Sequence, residues 1–283
     1  MSFSETPHEL RVADAVDFLA PKLNPKWQEL ISGVSVTGVI LGSGLGSLAE
    51  KIQPQLTIKY GDIPGFASST ASGHRGELIF GTLHGKPVIA MAGRLHRYEG
   101  WSNDQVSFPV SVMHALGARR LIASNAAGGL NPNLRVGDII VLSDHVDWLH
   151  QRSASFSSSP KRTGFLRADR PIYRRELIDQ ALLAARNNSF RAFEGTYLAT
   201  LGPTYETRAE YRMMRRLGAD VVGMSTVPEV LTAASLEMDV LALSVVSNVA
   251  SPDDAIIADH EEVLQAGDAA AGKLESIVRF VTG

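Results

Sequence analysis

An α/β fold, formed as one domain over residues 1–283, is predicted by three features of the sequence. Apolar runs with the length of buried strands alternate with longer stretches of helical pattern, which indicates an at least partly parallel sheet. No internal repeat and no linker divides the chain. The hydrophobic content of 45% and the charged content of 20% are ordinary for a globular protein, and this length is sufficient to bury a substantial core.

The predicted strands are short apolar runs bounded by turn-forming residues. They comprise residues 36–41, a hairpin over 76–93, and residues 121–125, 138–146, 194–200, 220–223 and 239–247. The hairpin should turn at His84-Gly85, and Gly128-Gly129 predict a further turn. The segment SASFSSSPKRTG (153–164) predicts a surface loop, with a lid over a site as the alternative.

The predicted helices have a helical periodicity, and several begin at a capping signal. They comprise residues 8–32 with a break at Pro21, and residues 102–117, 173–187, 207–217, 227–237 and 260–281. A serine or threonine followed three residues later by a glutamine or glutamate predicts three capping boxes, at Ser102–Gln105, Thr207–Glu210 and Thr226–Glu229. The helical segment within residues 1–35 should pack on the domain.

The composition excludes several kinds of chemistry and partner. There is no cysteine, which excludes disulfides, thiolate nucleophiles and cysteine-ligated metals. A net charge of −3 gives no basic surplus for a nucleic-acid partner. The N-terminus MSFSETPHEL has no signal-peptide pattern, and no apolar run reaches the roughly 18 residues of a membrane span. We therefore expect a cytoplasmic protein without nucleic-acid or membrane partners.

The stretch GVILGSGLGSLAE (38–50) joins a predicted strand to a glycine-rich loop. As a dinucleotide fingerprint it fails twice, because Ser47 replaces the third glycine and the nearest acid, Asp62, lies in a turn. The backbone N–H groups of such a loop, together with the hydroxyl of Ser43, would still bind a free anion. A tight turn without a ligand is the alternative that these residues leave open.

Side chains suited to binding an anion and hydroxyl groups follow the predicted strand PVIAMA. Arg94, His96 and Tyr98 alternate along an extended segment, so they should point to the same side. Small residues in SNAAGG would let Asn125 and Ala126 bring their backbone N–H groups close to a ligand. For each residue taken alone, a salt bridge or a turn at the surface is the simpler explanation.

Four further candidates stand at a helix start or at a strand end. Glu206 lies just before a predicted helix, where the helix dipole favours the ionised carboxylate. Ser225 should face the start of the next helix, which is a second possible anion site. Asn248 ends an apolar strand, at the crevice where open sheets bind ligands. His260 falls in the first turn of the last helix, where a histidine is often only a surface residue.

Eight stretches, in this order and spacing, resemble one family: the trimeric purine nucleoside phosphorylases. They are GSGLG (42–46), GHRGELIFG (73–81), GRLHRYEG (93–100), SNAAGGLNP (124–132), VGDII (136–140), GPTYETRAE (202–210), GADVVGMSTVPEV (218–230) and DHEEVL (259–264). The resemblance implies an α/β domain with a central mixed sheet flanked by helices, assembled as a homotrimer. It also implies reversible cleavage of a purine nucleoside by inorganic phosphate in purine salvage, without a metal or organic cofactor.

The resemblance implies roles for individual residues. The implied phosphate-binding residues are Ser43, His74, Arg94, His96, Ala126 and Ser225. The implied nucleoside-binding residues are Tyr98, Phe165, Tyr205, Glu206, Val222, Met224, Asn248 and His260. Of these, Phe165 would be lent by a neighbouring subunit. The implied catalytic residues are His96, Glu206 and Asn248.

The chemistry of the bases indicates that inosine and guanosine are the preferred substrates. A 6-oxopurine has a donor at N1 and acceptors at O6 and N7, which match the Glu206 carboxylate and the Asn248 amide. Adenine has an acceptor at N1 and a donor at its 6-amino group, so this pair should reject it. Two departures from better-known members concern the base range: Tyr205 replaces a phenylalanine, and Val249 replaces a lysine of the mammalian enzymes.

Three other functions stay open on the sequence. A related phosphorylase that prefers xanthosine or methylthioadenosine has the same chemistry, although the methylthioadenosine enzymes carry an aspartate at the position of Asn248. A catalytically silent nucleoside-binding protein is possible, but the joint presence of Arg94, His96, Glu206 and Asn248 argues against it. A dinucleotide-dependent oxidoreductase would need the third glycine of the fingerprint.

Overall fold

The computed structural model describes residues 8–23, 25–42, 46–68, 75–149, 171–250 and 260–283. Within these ranges the strands are β1 (Val36–Leu41), β2 (Gln53–Lys59), β3 (Glu77–Leu83), β4 (Lys86–Ala92), β5 (Ala118–Gly129), β6 (Ile139–Asp147), β7 (Ala192–Ala199), β8 (Val221–Gly223) and β9 (Asp239–Val249). The α-helices are α1 (His8–Leu19), α2 (Pro25–Ile31), α3 (Gly46–Ala49), α4 (Asn103–Ala115), α5 (Arg175–Asn187), α6 (Arg208–Arg216), α7 (Val227–Ser235) and α8 (His260–Thr282).

The strands form one mixed sheet in the order β2-β3-β4-β1-β5-β8-β7-β6-β9. The central strands β1 and β9 are rich in valine, isoleucine and leucine and are almost wholly buried, as expected for strands covered on both faces. β9 pairs antiparallel with β6 and also parallel with β5. Because β5 contacts both β8 and β9, the strands β5, β8, β7, β6 and β9 close into a ring.

Four strands of this sheet bring their carboxyl ends to one edge. β4 is parallel to β1, β1 to β5, and β5 to β9. Arg94 and Gly42 follow β4 and β1, while Asn125 and Asn248 lie in the second halves of β5 and β9. Strand direction therefore brings residues that are far apart in the sequence to one place, at the edge where open α/β sheets bind ligands.

The N-terminal helices pack on the main core. Trp27 of α2 is buried and meets Phe80 of β3 edge to face, with the ring centroids 5.6 Å apart. α1 packs against α4, where His8 Nε2 lies 3.1 Å from Ser111 Oγ. Leu19 at the end of α1 is fully buried in the same core. These contacts attach residues before the first strand to both the sheet and a covering helix.

The predicted strands and helices are confirmed, with ends that shift by a few residues. The capping boxes Ser102–Gln105 and Thr207–Glu210 are both formed, with side chains and backbone N–H groups bonded reciprocally. The edge strand β2 and the short helix α3 were not predicted from the sequence. The sequence of β2 has no alternating hydrophobic pattern, because most of its residues are exposed.

Two local predictions are wrong. Gly128 and Gly129 do not turn the chain but continue β5, where they pair with Val222 and Val221 of β8. Thr226 and Glu229 do not form a capping box, since the Thr226 side chain caps no backbone N–H and its φ is +74°. In both cases a contact with a distant part of the sheet replaces the local pattern.

The predicted loop over 153–164 lies outside the described residues. Among the residues that the structure does describe, no helix is both long enough and apolar enough to cross a membrane.

Candidate active site

An open cleft lies at the edge where the parallel strands end. Its lining comes from the segment after β4, from β5, β8 and β9, from the segment before α6, and from α6 and α8. The predicted site residues that line it are Arg94, His96, Tyr98, Ala126, Tyr205, Glu206, Val222, Met224, Ser225 and Asn248. The structure therefore brings together residues from both halves of the sequence in a single cleft.

Arg94 is the buried cation at one end of the cleft. Only 1% of the residue is exposed. Its Nη1 donates to the Ser124 carbonyl oxygen at 2.8 Å and to Ser225 Oγ at 3.1 Å. Its Nε donates to Glu229 Oε1 at 2.8 Å, and Glu229 is fully buried. A buried guanidinium needs such partners, because burying an uncompensated charge is costly.

Ser225 and Thr226 connect the start of α7 to the rest of the cleft. The Ser225 backbone N–H donates to the Tyr197 hydroxyl at 3.3 Å. Burial raises the pKa of Tyr197 to about 12, so this hydroxyl stays neutral. Thr226 Oγ1 accepts from Asn125 Nδ2 at 2.8 Å. The positive φ of Thr226 is a strained conformation, which these bonds from β5 and β7 help to maintain.

His96 and Tyr98 form the adjoining wall. Their rings stack, with centroids 4.6 Å apart and planes inclined by 18°. His96 Nδ1 lies 3.1 Å from Glu99 Oε1, and the same carboxylate oxygen accepts from the His96 backbone N–H at 2.7 Å. Glu99 therefore fixes the orientation of the imidazole. Burial, with the nearby Glu99 charge, raises the pKa of Tyr98 to about 12, so its hydroxyl is a neutral hydrogen-bonding group.

Glu206 lines the same cleft from the segment before α6. Its Oε1 accepts from Thr200 Oγ1 at 2.9 Å, and the Tyr211 hydroxyl also bonds to its side chain. The next residue, Thr207, caps α6 and donates to Glu210, which lowers the pKa of the Glu210 carboxyl. The capping box thus sets where α6 begins, directly after Glu206.

Asn248 also lines the cleft, near the end of β9. Its Oδ1 accepts from Ser247 Oγ at 3.0 Å. A Cβ added to Gly128 of β5 would lie 3.6 Å from this Oδ1 and 3.4 Å from Val222 Cγ1. Gly128 is therefore a direct neighbour of both the Asn248 amide and Val222, at ordinary van der Waals distance.

The cleft lining also includes apolar and aromatic residues. Val222 is 3% exposed and Tyr205 is 43% exposed, so one forms the floor and the other stands at the rim. Met224 and Ala126 complete the predicted residues of this kind. Among the described residues, no group of three or more histidine, aspartate and glutamate side chains is arranged to hold a metal ion.

Comparisons with known proteins identify the family to which the chain belongs. A profile of the Phosphorylase superfamily matches residues 36–281. Purine nucleoside phosphorylase 1 of Geobacillus stearothermophilus is 44% identical over 229 residues, covering 81% of this chain and 83% of that protein. The purine nucleoside phosphorylase of Rattus norvegicus is 42% identical over 250 residues, covering 86% of each chain. The chain belongs to the purine nucleoside phosphorylase family of the phosphorylase superfamily.

Solved structures of the family share the fold. A schistosome purine nucleoside phosphorylase, crystallised with hypoxanthine, superposes with a TM-score of 0.80 at 37% identity and covers 95% of each chain. The Schistosoma mansoni enzyme, crystallised with adenosine, gives a TM-score of 0.78 at 38% identity over 94% of this chain and 97% of that chain. The family and the fold class predicted from the sequence motifs are therefore confirmed.

Four members of the predicted phosphorylase site are not placed by the structure. Ser43, His74 and Phe165 lie outside the described residues, and His260 opens α8 with a side chain that is not described. Their roles stay predictions from the family resemblance. Val263, one turn further along α8, does line the cleft.

Sequence reasoning missed several residues that shape the phosphorylase cleft: Thr200, Tyr211, Glu229 and Ser247. Glu229 was interpreted as half of a capping box. Its position within the apolar run Val227–Val230 was the available signal, because an acidic residue in a buried run needs a buried cation. Thr200 and Tyr211 gave no comparable signal, since hydroxyl groups are common at strand ends and in helices.

Gly42 offers a test of how the anion end of a phosphorylase cleft is packed. A Cβ at this position would lie 2.6 Å from the Ser124 carbonyl oxygen and 3.2 Å from Arg94 Nη1. We expect Gly42→Ala to lower the free energy of unfolding by about 1–3 kcal/mol through overpacking. It should also raise the KM for phosphate by displacing Arg94. Denaturant unfolding and steady-state kinetics measure the two effects.

Gly46→Ala is the matched control, because nothing lies within 4 Å of a Cβ at Gly46. Equal effects of the two substitutions would contradict the packing explanation.

Proposed function

We propose that this protein catalyses the reversible phosphorolysis of 6-oxopurine nucleosides. Inosine, guanosine and their 2′-deoxy forms would react with inorganic phosphate to give the free base and (deoxy)ribose 1-phosphate. The supporting observation is a single cleft that is lined both by two carboxylate-paired side chains, Arg94 and His96, and by Glu206 and Asn248. The proposal assigns phosphate to a first end of the cleft, with Arg94 and His96, and the base to a second end, with Glu206 and Asn248.

The first end has the groups that an oxyanion needs. Arg94 supplies charge and N–H donors, the His96 ring and the Ser225 hydroxyl supply further polar groups, and the proposal adds the backbone N–H of Ala126, which also lines the cleft. The Glu229 and Glu99 contacts hold Arg94 and His96 in fixed orientations before any ligand arrives. Preorganised donors of this kind cost little reorganisation during the reaction.

The second end matches the edge of a 6-oxopurine. The Glu206 carboxylate accepts from N1–H and from the 2-amino group of guanine. Because Asn248 Oδ1 already accepts from Ser247, its Nδ2 is the group that donates to N7 or O6. Adenine instead presents an acceptor at N1 to the acceptor Glu206 and a donor at its 6-amino group to the donor Asn248 Nδ2, so both contacts are unfavourable.

The reaction passes through an oxocarbenium-like state in which positive charge grows on the sugar and negative charge on the base. Phosphate held below C1′ stabilises the sugar cation and then forms the new C–O bond as the C–N bond breaks. Holding it there removes much of the entropic barrier of a bimolecular step. The hydrogen bond from Asn248 strengthens as charge accumulates on the base, so it stabilises the transition state more than the ground state.

The remaining assignments rest on the family resemblance. They are phosphate binding by Ser43 and His74, contact of His260 with the 5′-hydroxyl, and stacking of Tyr98, Tyr205 and Phe165 on sugar or base. A cytoplasmic homotrimer that acts in purine salvage without a cofactor is proposed on the same basis.

The deciding experiment measures release of base from inosine, guanosine, xanthosine, methylthioadenosine and adenosine, each with and without phosphate. We expect phosphate-dependent release from inosine and guanosine and little from adenosine. Adenosine belongs in the panel because one family structure was solved with it. Release of base without phosphate would indicate a hydrolase. A preference for xanthosine or methylthioadenosine would overturn the substrate assignment. Binding of nucleoside without release of base would indicate a binding protein.

A further inference from the structure

We propose that Thr200 and Tyr211 are positioning residues that hold the Glu206 carboxylate in the orientation that recognises 6-oxopurines. The inference rests on the proposed function, because it assigns Glu206 to the base. It adds two residues that determine specificity without being required to touch the substrate.

Thr200 reaches Glu206 from the end of β7. The backbone N–H of Thr200 donates to the Gly223 carbonyl oxygen at 2.9 Å, which ties this residue to β8. Its Oγ1 lies 2.9 Å from Glu206 Oε1 and 3.5 Å from the same Gly223 carbonyl oxygen. A threonine hydroxyl has one proton, and the carboxylate is both the nearer and the stronger acceptor. Thr200 therefore donates to Glu206.

Tyr211 reaches the same carboxylate from α6. Its ring packs on the small apolar cluster that includes Leu198, Met214 and Val222, and it lines the cleft next to Glu206. Burial, followed by the negative charge of Glu206 and their hydrogen bond, raises the pKa of the Tyr211 hydroxyl well above its usual range. The hydroxyl thus keeps its proton and acts as a donor toward the carboxylate.

Two donors on one carboxylate have a chemical consequence for base choice. The Glu206 carboxylate is an acceptor only, which fits N1–H of hypoxanthine and guanine. If the side chain rotated away, N1–H would lose this acceptor and the site would no longer favour a 6-oxopurine over adenine. Thr200 and Tyr211 keep the acceptor in place, because each holds the carboxylate from a different element.

The two donors come from different elements, which makes the orientation of Glu206 rigid. One is fixed by β7 and β8, and the other by the packing of α6. Glu206 itself lies on the irregular segment between them, immediately before the N-cap residue Thr207. Without the two hydroxyls this side chain would have several rotamers available at the wall of the open cleft.

The test compares Thr200→Val, Tyr211→Phe and their double variant with the wild type. Thr200→Ser keeps the hydroxyl, and Thr196→Val removes a hydroxyl from the same strand away from the cleft lining. We expect each of Thr200→Val and Tyr211→Phe to lower the ratio of inosine to adenosine kcat/KM by about ten-fold. Thr200→Ser should restore most of the ratio, and Thr196→Val should leave it unchanged.

Equilibrium binding of hypoxanthine and adenine to the same proteins is measured in parallel by calorimetry. The preference for hypoxanthine should fall by a similar factor, whether or not the protein turns nucleosides over. If the variants lose the binding preference for hypoxanthine over adenine while the wild type turns over no nucleoside, the positioning role is supported and the phosphorylase reaction is refuted. If the wild type turns over inosine and the ratio of inosine to adenosine kcat/KM is unchanged in every variant, only the positioning role is refuted. A wild type that binds neither base would overturn both.

Discussion

Replacing Asn248 with aspartate is expected to lower kcat/KM for inosine by on the order of 10²–10³-fold, the usual effect of losing one transition-state donor. In the proposed base site, the substitution removes the N–H group assigned to N7 or O6 and introduces an acceptor in its place. For adenosine the new carboxylate would accept from the 6-amino group. The ratio of adenosine to inosine activity should therefore rise, which steady-state kinetics with both nucleosides measures.

Asn248→Ala separates the two effects in this experiment. It removes the donor without adding an acceptor, so inosine activity should fall while adenosine gains nothing. Ser247 donates to Oδ1 in the wild type and can donate equally to an aspartate, so the side chain at position 248 should keep its place. An unchanged inosine-to-adenosine ratio in Asn248→Asp would refute this explanation of base choice.

Replacing Glu229 with glutamine is expected to lower the free energy of unfolding by about 3–5 kcal/mol. Glutamine preserves the shape and one acceptor for Arg94 Nε, but it leaves the charge of a guanidinium that is 1% exposed without its counter-charge. Denaturant unfolding measures the loss. Added phosphate should stabilise this variant by more than it stabilises the wild type, because the anion replaces the missing negative charge.

The exposed pair Arg175–Glu194 provides the matched control. Its N–O distance of 2.8 Å equals that of Arg94–Glu229, but the Glu194 side chain is 39% exposed. Glu194→Gln should cost less than about 1 kcal/mol, since water screens an exposed pair. If the two glutamine variants were equally stable, burial of the Arg94 charge would not be the source of the effect. A double substitution of Arg94 and Glu229 by methionine should recover much of the stability and have little activity.

Among the described elements, the sequence predicted all helices but α3 and all strands but β2, because these depend on local periodicity. Seven of the ten predicted residues that line the cleft were indicated by polar groups at strand ends and helix starts, where an α/β sheet binds ligands. Tyr205, Val222 and Met224, like the roles of His74, Phe165 and His260, were predictable only through the family resemblance. Their residue types alone fit many surface positions equally well.

The two errors share one physical cause. A capping box contributes about 1 kcal/mol, whereas a buried arginine without a carboxylate costs several times more, so Glu229 pairs with Arg94 across 135 residues of sequence. Gly128-Gly129 carry a turn signal, but pairing with both β8 and β9 determines their conformation. Contacts between distant segments decide such cases, and a single sequence does not reveal them.

The closed ring of strands has a consequence for the synthesis of the protein. β5 leaves the ribosome long before β9, yet β9 must pair with both β5 and β6 before the ring closes. Asn125 lies on β5 and Asn248 lies on β9, so the cleft forms only when nearly the whole chain has emerged. Until then the apolar edge of β5 is an open template for pairing with other chains. A chain truncated before β9 should therefore aggregate instead of retaining partial activity.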